Sequence, residues 1–163
     1  MNIQTQLCTF KTADNERLHG LLFTPPSDDS DMALVFIHGV AMNFYLPPLA
    51  IFGQELTQLR YHCFVINTRG HDWIARVGNL TKFGGSAYEN LEDCLFDLDG
   101  ALNYLENRGY RRFVLIGHSL GRSNRSSIRG HASVMTSSAS CLVLPRNNSI
   151  PSGSPGSPSF AKP

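Results

Sequence analysis

Ser119 stands at the centre of Gly117-His-Ser-Leu-Gly121, directly after the apolar run at residues 113–116. A G-x-S-x-G pattern between a strand and a helix is a nucleophile elbow, a sharp turn that presents a serine hydroxyl. The small residues at Gly117 and Gly121 let such a turn close and let the backbone approach a substrate. A serine hydroxyl needs a base to become a nucleophile, and the base needs an acid to orient it. After Ser119 the chain contains no Asp or Glu and one histidine, His131, only twelve residues on. His131 falls where the helix after the elbow should run and is not taken as the base. The earlier histidines read as bystanders. His118 is expected to point away from the serine, His38 and His71 to be structural members of loops, and His19 and His62 to be half-buried or surface residues at strand ends. Asp72, Asp93, Asp97 and Asp99 all precede the serine and read as loop or helix-surface carboxylates.

The elements that would position the elbow can be read in order. Residues 3–11 and 17–24 form two strands around a turn at 13–16, an N-terminal hairpin. Residues 32–37 are continuously apolar, as in a strand buried on both faces, and run into His38-Gly39-Val40-Ala41. Pro47 and Pro48 suit the start of a helix whose apolar stripe is Leu49, Phe52, Leu56 and Leu59. Residues 62–67 form another buried-type strand, followed by Arg69-Gly70-His71 and a Gly- and Asn-rich loop. Ser86 and Glu89 have capping-box spacing. The following helix would bury Leu91, Cys94, Leu95, Leu98, Leu102 and Leu105, with Gly109 at its C-terminal end. Residues 112–117 are the strand before the elbow. Strand–helix alternation after a hairpin predicts an α/β fold, a mostly parallel sheet with helices on both faces.

Composition narrows the classes of function. The 163 residues are 42% apolar and 17% charged with a net charge of +1, which fits a soluble globular protein and gives no sign of a nucleic-acid partner. No apolar run approaches membrane-spanning length, and residues 1–7 lack the basic start and apolar core of a signal peptide. Cys8, Cys63, Cys94 and Cys141 are widely spaced, so reduced thiols in a cytoplasmic protein are expected rather than a metal site or disulfides. No nucleotide-binding glycine motif occurs, and no cofactor is expected.

Taken together, the hairpin, His38-Gly39, Arg69-Gly70-His71 and Gly117-x-Ser119-x-Gly121 resemble the α/β-hydrolase family over roughly residues 15–121. Asn67-Thr-Arg-Gly-His-Asp72 replaces the more usual D-x-R-G-H-G-x-S pattern. The resemblance implies the N-terminal portion of an α/β-hydrolase fold and a serine hydrolase acting on a small ester or related acyl substrate. Ser119 would be the nucleophile. The backbone N–H of Leu120 would be one oxyanion donor and that of Val40 (or Ala41) the other. His38, Gly39, Arg69, Gly70, His71, Gly117 and Gly121 would carry the structural motifs. In this family the acid and the histidine follow the serine, and both are missing here. The chain is therefore expected to be inactive by itself. The alternatives are a non-catalytic truncated pseudoenzyme or binding module, and a partner chain that supplies the acid and base. Oligomeric state is left open.

Two compositions meet just after the elbow. Residues 1–121 hold nine Lys/Arg against thirteen Asp/Glu, whereas residues 122–163 hold five Lys/Arg and no acid, with twelve Ser and five Pro. We therefore divide the chain into a partial α/β-hydrolase domain, 1–121, and a Ser/Pro/Arg-rich tail, 122–163, that is disordered or out of frame. Read one nucleotide later, suitable codons for residues 122–132 give an apolar run like the missing helix. The strand at 112–117 would then be an unpaired apolar edge.

Overall fold

A computed structural model describes residues 3–26, 30–77, 82–118, 133–135 and 139–144. Nine strands and two helices are seen among them. Strands β1 (Gln4–Lys11) and β2 (Arg17–Thr24) form the expected hairpin, with Leu7 opposite Leu21. Strand β3 (Met32–Ile37), helix α1 (Leu49–Gln58) and strand β4 (His62–Ile66) follow. A short ribbon comes next, β5 (Ala75–Val77) paired with β6 (Lys82–Gly84), inside the stretch read as a plain loop. A 3-10 turn at Leu91–Asp93 leads into helix α2 (Cys94–Glu106), then strand β7 (Arg112–His118). The main sheet has the order β1-β2-β4-β3-β7 and continues through β9 (Ala139–Leu144) to β8 (Ser133–Met135). Strands β4, β3 and β7 are mutually parallel, with Ile37 opposite both Ile66 and Gly117. The α/β expectation thus holds.

Alternation along the central strands sends side chains to two cores. Ala33, Val35, Ile37, Phe64, Ile66, Phe113 and Leu115 meet α2 through Leu98, Ala101, Leu102 and Leu105. Leu34, Phe36, Cys63 and Val65 point to the other face and meet Leu49 of α1. Each fully buried Leu, Ile or Phe contributes roughly 1.5–3 kcal/mol, so two faces of one parallel sheet supply most of the stabilisation.

Three expectations change. Helix α1 buries Leu49, Gly53 and Thr57, while Phe52 and Leu59 are exposed. Gly53 is the contact point because a Cβ there would lie 2.9 Å from Val65 Cγ2, so the glycine lets the helix sit close on β4. Helix α2 begins at Cys94 without a side-chain cap, so Ser86 and Glu89 do not form a capping box. At its other end Gly109 takes φ +98°, and Tyr110 N–H bonds Leu105 O, the closing pattern expected of a C-terminal glycine. Finally, the far edge of β7 is not free. Strand β9 pairs with it antiparallel over six residues, from Phe113↔Leu144 to His118↔Ala139, and the three-residue β8 becomes the edge. The apolar, β-prone run at 139–144 was hidden within a Ser-rich tail.

Candidate active site

The site lies at the ends of the parallel strands. β3 runs into His38 and Gly39, β4 into Asn67, Thr68 and Arg69, and β7 into His118. Ser119, Leu120, Gly121 and His131 lie outside the described residues. Gly117 is buried in β7 beside Ile37, and His118 Nδ1 is buried with no hydrogen-bond partner among the described residues.

His38 ties the first two strand ends together. Its Nε2 accepts from the Thr68 N–H at 3.1 Å, so the proton sits on Nδ1, which donates to Gly39 O at 2.8 Å. Burial of this ring lowers its pKa to about 4, which keeps it neutral at pH 7. It therefore acts as a neutral brace between the loops after β3 and β4.

Arg69 anchors the second loop. Its backbone N–H and Nε donate to the two oxygens of Asp97 at 2.8 and 2.9 Å, and Nη2 adds a third bond at 2.8 Å. Nη1 and Nη2 also grip Asp14 at 2.8 and 2.9 Å. Asp97 is fully buried rather than a helix-surface carboxylate, because its position on α2 faces the sheet between Cys94 and Ala101. Burial pushes the Asp97 carboxyl up against the pull of Arg69. The hydrogen bonds from Arg69 hold Asp14 down at about 2. Burial opposes the charge on Arg69, but Asp14 and Asp97 outweigh it and raise its pKa. His62 is likewise buried, not a surface residue, with Nδ1 2.9 Å from Tyr110 Oη.

The loop after β3 carries Val40 and Ala41, and their two N–H groups are placed differently. Ala41, at φ +56°, donates its N–H to Ser86 Oγ at 2.7 Å, and Ser86 donates onward to Gly70 O at 2.8 Å. The Val40 N–H has no partner among the described residues, and Val40 is half exposed. The Glu89 carboxyl packs against Gly70, where an added Cβ would require that side chain to move aside. His71 Nδ1 lies 2.9 Å from Asp72 Oδ2, and Asp72 also accepts from Asn43 and Tyr45.

Sequence reasoning did not pick out Asn43, Tyr45 or Asp72 as members of the site, and it gave Ser86 the wrong partner. The one available signal was Asp72 itself, at the position where the more usual motif has glycine. Beside this loop Trp73 and Ile74 before the β5–β6 ribbon, Phe83 on it and Tyr88 after it are exposed, with the Arg76 guanidinium 4.9 Å from the Phe83 ring and Phe83 stacked on Tyr88. Among the described residues no group of three or more His, Cys, Asp or Glu could hold a metal ion, and no helix is long and apolar enough to cross a membrane.

Likeness to solved structures settles the architecture. The esterase Pf2001 of Pyrococcus furiosus matches with a TM-score of 0.60 at 19% identity, over 78% of this chain and 47% of that one. The chain carries the N-terminal part of an α/β-hydrolase fold. The α/β hydrolase GrgF from Penicillium sp. sh18 matches with a TM-score of 0.58 at 16% identity, over 74% of this chain and 39% of that one. Est1E of Butyrivibrio proteoclasticus, solved with ferulic acid bound, gives 0.58 at 16% identity, over 72% and 45%. The chain thus spans less than half the length of these three α/β-hydrolase-type structures, and at such identities the likeness speaks for fold alone. No protein-family model and no curated protein matches the chain.

Proposed function

We propose that this chain holds the nucleophile-and-oxyanion part of a serine-hydrolase site built for a small ester or related acyl substrate. Ser119 is the nucleophile, with the Leu120 and Val40 N–H groups as oxyanion donors. The observation that carries this reading is the division of labour in the loop after β3, where Ala41 N–H is consumed by Ser86 and Val40 N–H has no partner among the described residues. Two fixed N–H groups stabilise a tetrahedral oxyanion, and losing one such donor typically costs about 10²–10³ in rate. With no acid after Ser119 and only His131 as a later histidine, the chain lacks the usual acid–base pair. It is therefore read as capable of covalent capture but not of turnover. The buried, widely spaced Cys8, Cys63 and Cys94 fit a reducing compartment, the cytoplasm.

A fluorophosphonate tests this directly. Attack by Ser119 Oγ forms the O–P bond as the P–F bond breaks, and the hydroxyl proton passes to solvent. A slow adduct at Ser119, absent in Ser119→Ala, with no turnover of an activated ester, is the expected result. An unlabelled serine refutes the reading, and esterase-level turnover by this chain alone refutes its incompleteness. The exposed Trp73, Ile74, Phe83 and Tyr88 favour a second reading, a non-catalytic binding module, to which an unlabelled chain would point.

A further inference from the structure

We propose that Asp72 is a positioning residue that holds the loop after β3 in the shape in which the Val40 N–H has no partner among the described residues. This inference rests on Val40 being an oxyanion donor. Among the described residues, six hydrogen bonds join residues 40–46 to residues outside that segment, and three end on Asp72. Asn43 Nδ2 donates to Oδ1 at 2.5 Å, Tyr45 Oη donates to Oδ2 at 2.7 Å, and the Asp72 N–H donates to Met42 O at 3.0 Å. A fourth tie is indirect: Asp72 O accepts from the Ser86 N–H at 2.9 Å, and Ser86 Oγ is what occupies Ala41 N–H.

The arrangement is directional. Asn43 is fully buried, so its amide is fixed, and its Oδ1 turns back to accept from Leu46 N–H at 2.9 Å. Both Ala41 and Asp72 sit in the left-handed region, at φ +56° and +58°, which non-glycine residues hold only when their surroundings determine it. The two strained residues are cross-tied through Met42 and Ser86, so relaxing one loop relaxes the other. Burial would raise the Asp72 carboxyl, but the bonds from Tyr45, His71 and Asn43 outweigh it and hold the group below its ordinary value. It is thus ionised at neutral pH and accepts from all three donors at once.

The test uses the full chain with Asp72→Ala and, as a milder change at an exposed ring, Tyr45→Phe. Amide hydrogen exchange at Ala41 and Phe44 is read alongside fluorophosphonate kinetics at Ser119, with the maximal inactivation rate separated from the inhibitor's binding constant. A displaced reacting group can lose about 10²-fold in rate, so Asp72→Ala should lower the maximal inactivation rate about 10–100-fold with binding unchanged. Exchange at Ala41 and Phe44 should speed up, and Tyr45→Phe should move both readouts the same way by a few fold. If Asp72→Ala does not fold, Tyr45→Phe decides by itself. Unchanged exchange in the folded variants overturns the proposal, as does faster exchange with an unchanged inactivation rate. If the parent chain takes no label, the serine-hydrolase reading falls, and exchange alone then decides whether Asp72 holds the loop.

Discussion

The Arg69–Asp97 contact allows a quantitative prediction, because both charges are out of water and their partners are known. The Asp97 side chain has 0% exposure and that of Arg69 10%, and three of the Asp97 bonds come from Arg69. Breaking a buried pair by removing one partner costs about 3–5 kcal/mol, because the survivor is left desolvated and unpaired. The two single changes should differ in a stated order. In Asp97→Ala the guanidinium keeps its two bonds to Asp14 and a looser contact with Asp93 at 3.7 Å, which places the loss near about 3 kcal/mol. In Arg69→Ala the fully buried Asp97 loses its only cation within contact distance among the described residues, which places the loss nearer about 5 kcal/mol. Replacing both by apolar residues of similar size, Arg69→Met with Asp97→Leu, removes both charge-desolvation penalties but leaves the Arg69 N–H without its Asp97 acceptor, so the double variant should fall short of the parent by about 1–3 kcal/mol. Urea unfolding reads this. With a slope of about 2 kcal/mol per molar, the single losses correspond to midpoint shifts of roughly 1.5–2.5 M at unchanged slope. A loss below about 1 kcal/mol in both single variants would refute the reasoning, as would a double variant as unstable as the worse single one.

Three further outcomes rest on other contacts. His38 has a folded pKa of about 4 against an ordinary 6.5, so the unfolded chain takes up its proton first as pH falls. Its contribution is fully present above about 6.5 and drains away towards pH 4, by about 3 kcal/mol at most, and His38→Gln should flatten urea midpoints over that window. Asp14, held at about 2 by Arg69, acts in a separate window, losing its contribution only as pH falls from about 4 towards 2. Gly100 on α2 lies where a Cβ would come within 2.6 Å of Lys11 O and 2.9 Å of Thr12 Cα, both main-chain atoms that cannot swing aside. Gly100→Ala should therefore destabilise by about 1–3 kcal/mol although alanine is the better helix former, and a raised melting temperature would contradict that packing.

The parts of this protein that could be read from its sequence are those with local causes. Strands β3, β4 and β7 announce themselves because a strand covered on both faces is apolar without interruption, and the hairpin and the Gly109 stop are short-range chemistry. Where the cause lies elsewhere in the chain, pattern misleads. Phe52 and Leu59 look like core, yet Gly53 and Thr57 are what α1 buries, because closeness to β4 rather than hydrophobicity selects the face. The ribbon β5–β6 has three residues per strand, too few for any period to show. Asp97 was read as a helix-surface carboxylate although it stands three residues after Cys94 and four before Ala101, on the buried stripe, where a carboxylate needs a cation. That the cation is Arg69, 28 residues earlier, is not a local fact. The same holds at the site. Asn43 reaches Asp72 across 29 residues and Ala41 reaches Ser86 across 45, so Ser86 and Glu89 imitate a capping box that the folded chain has no use for. Elements are encoded nearby and the loop contacts are encoded at a distance, which is why the elbow motif could single out Ser119 while the bonds that hold residues 41–45 came to light only once the loops after β3 and β4 were seen face to face.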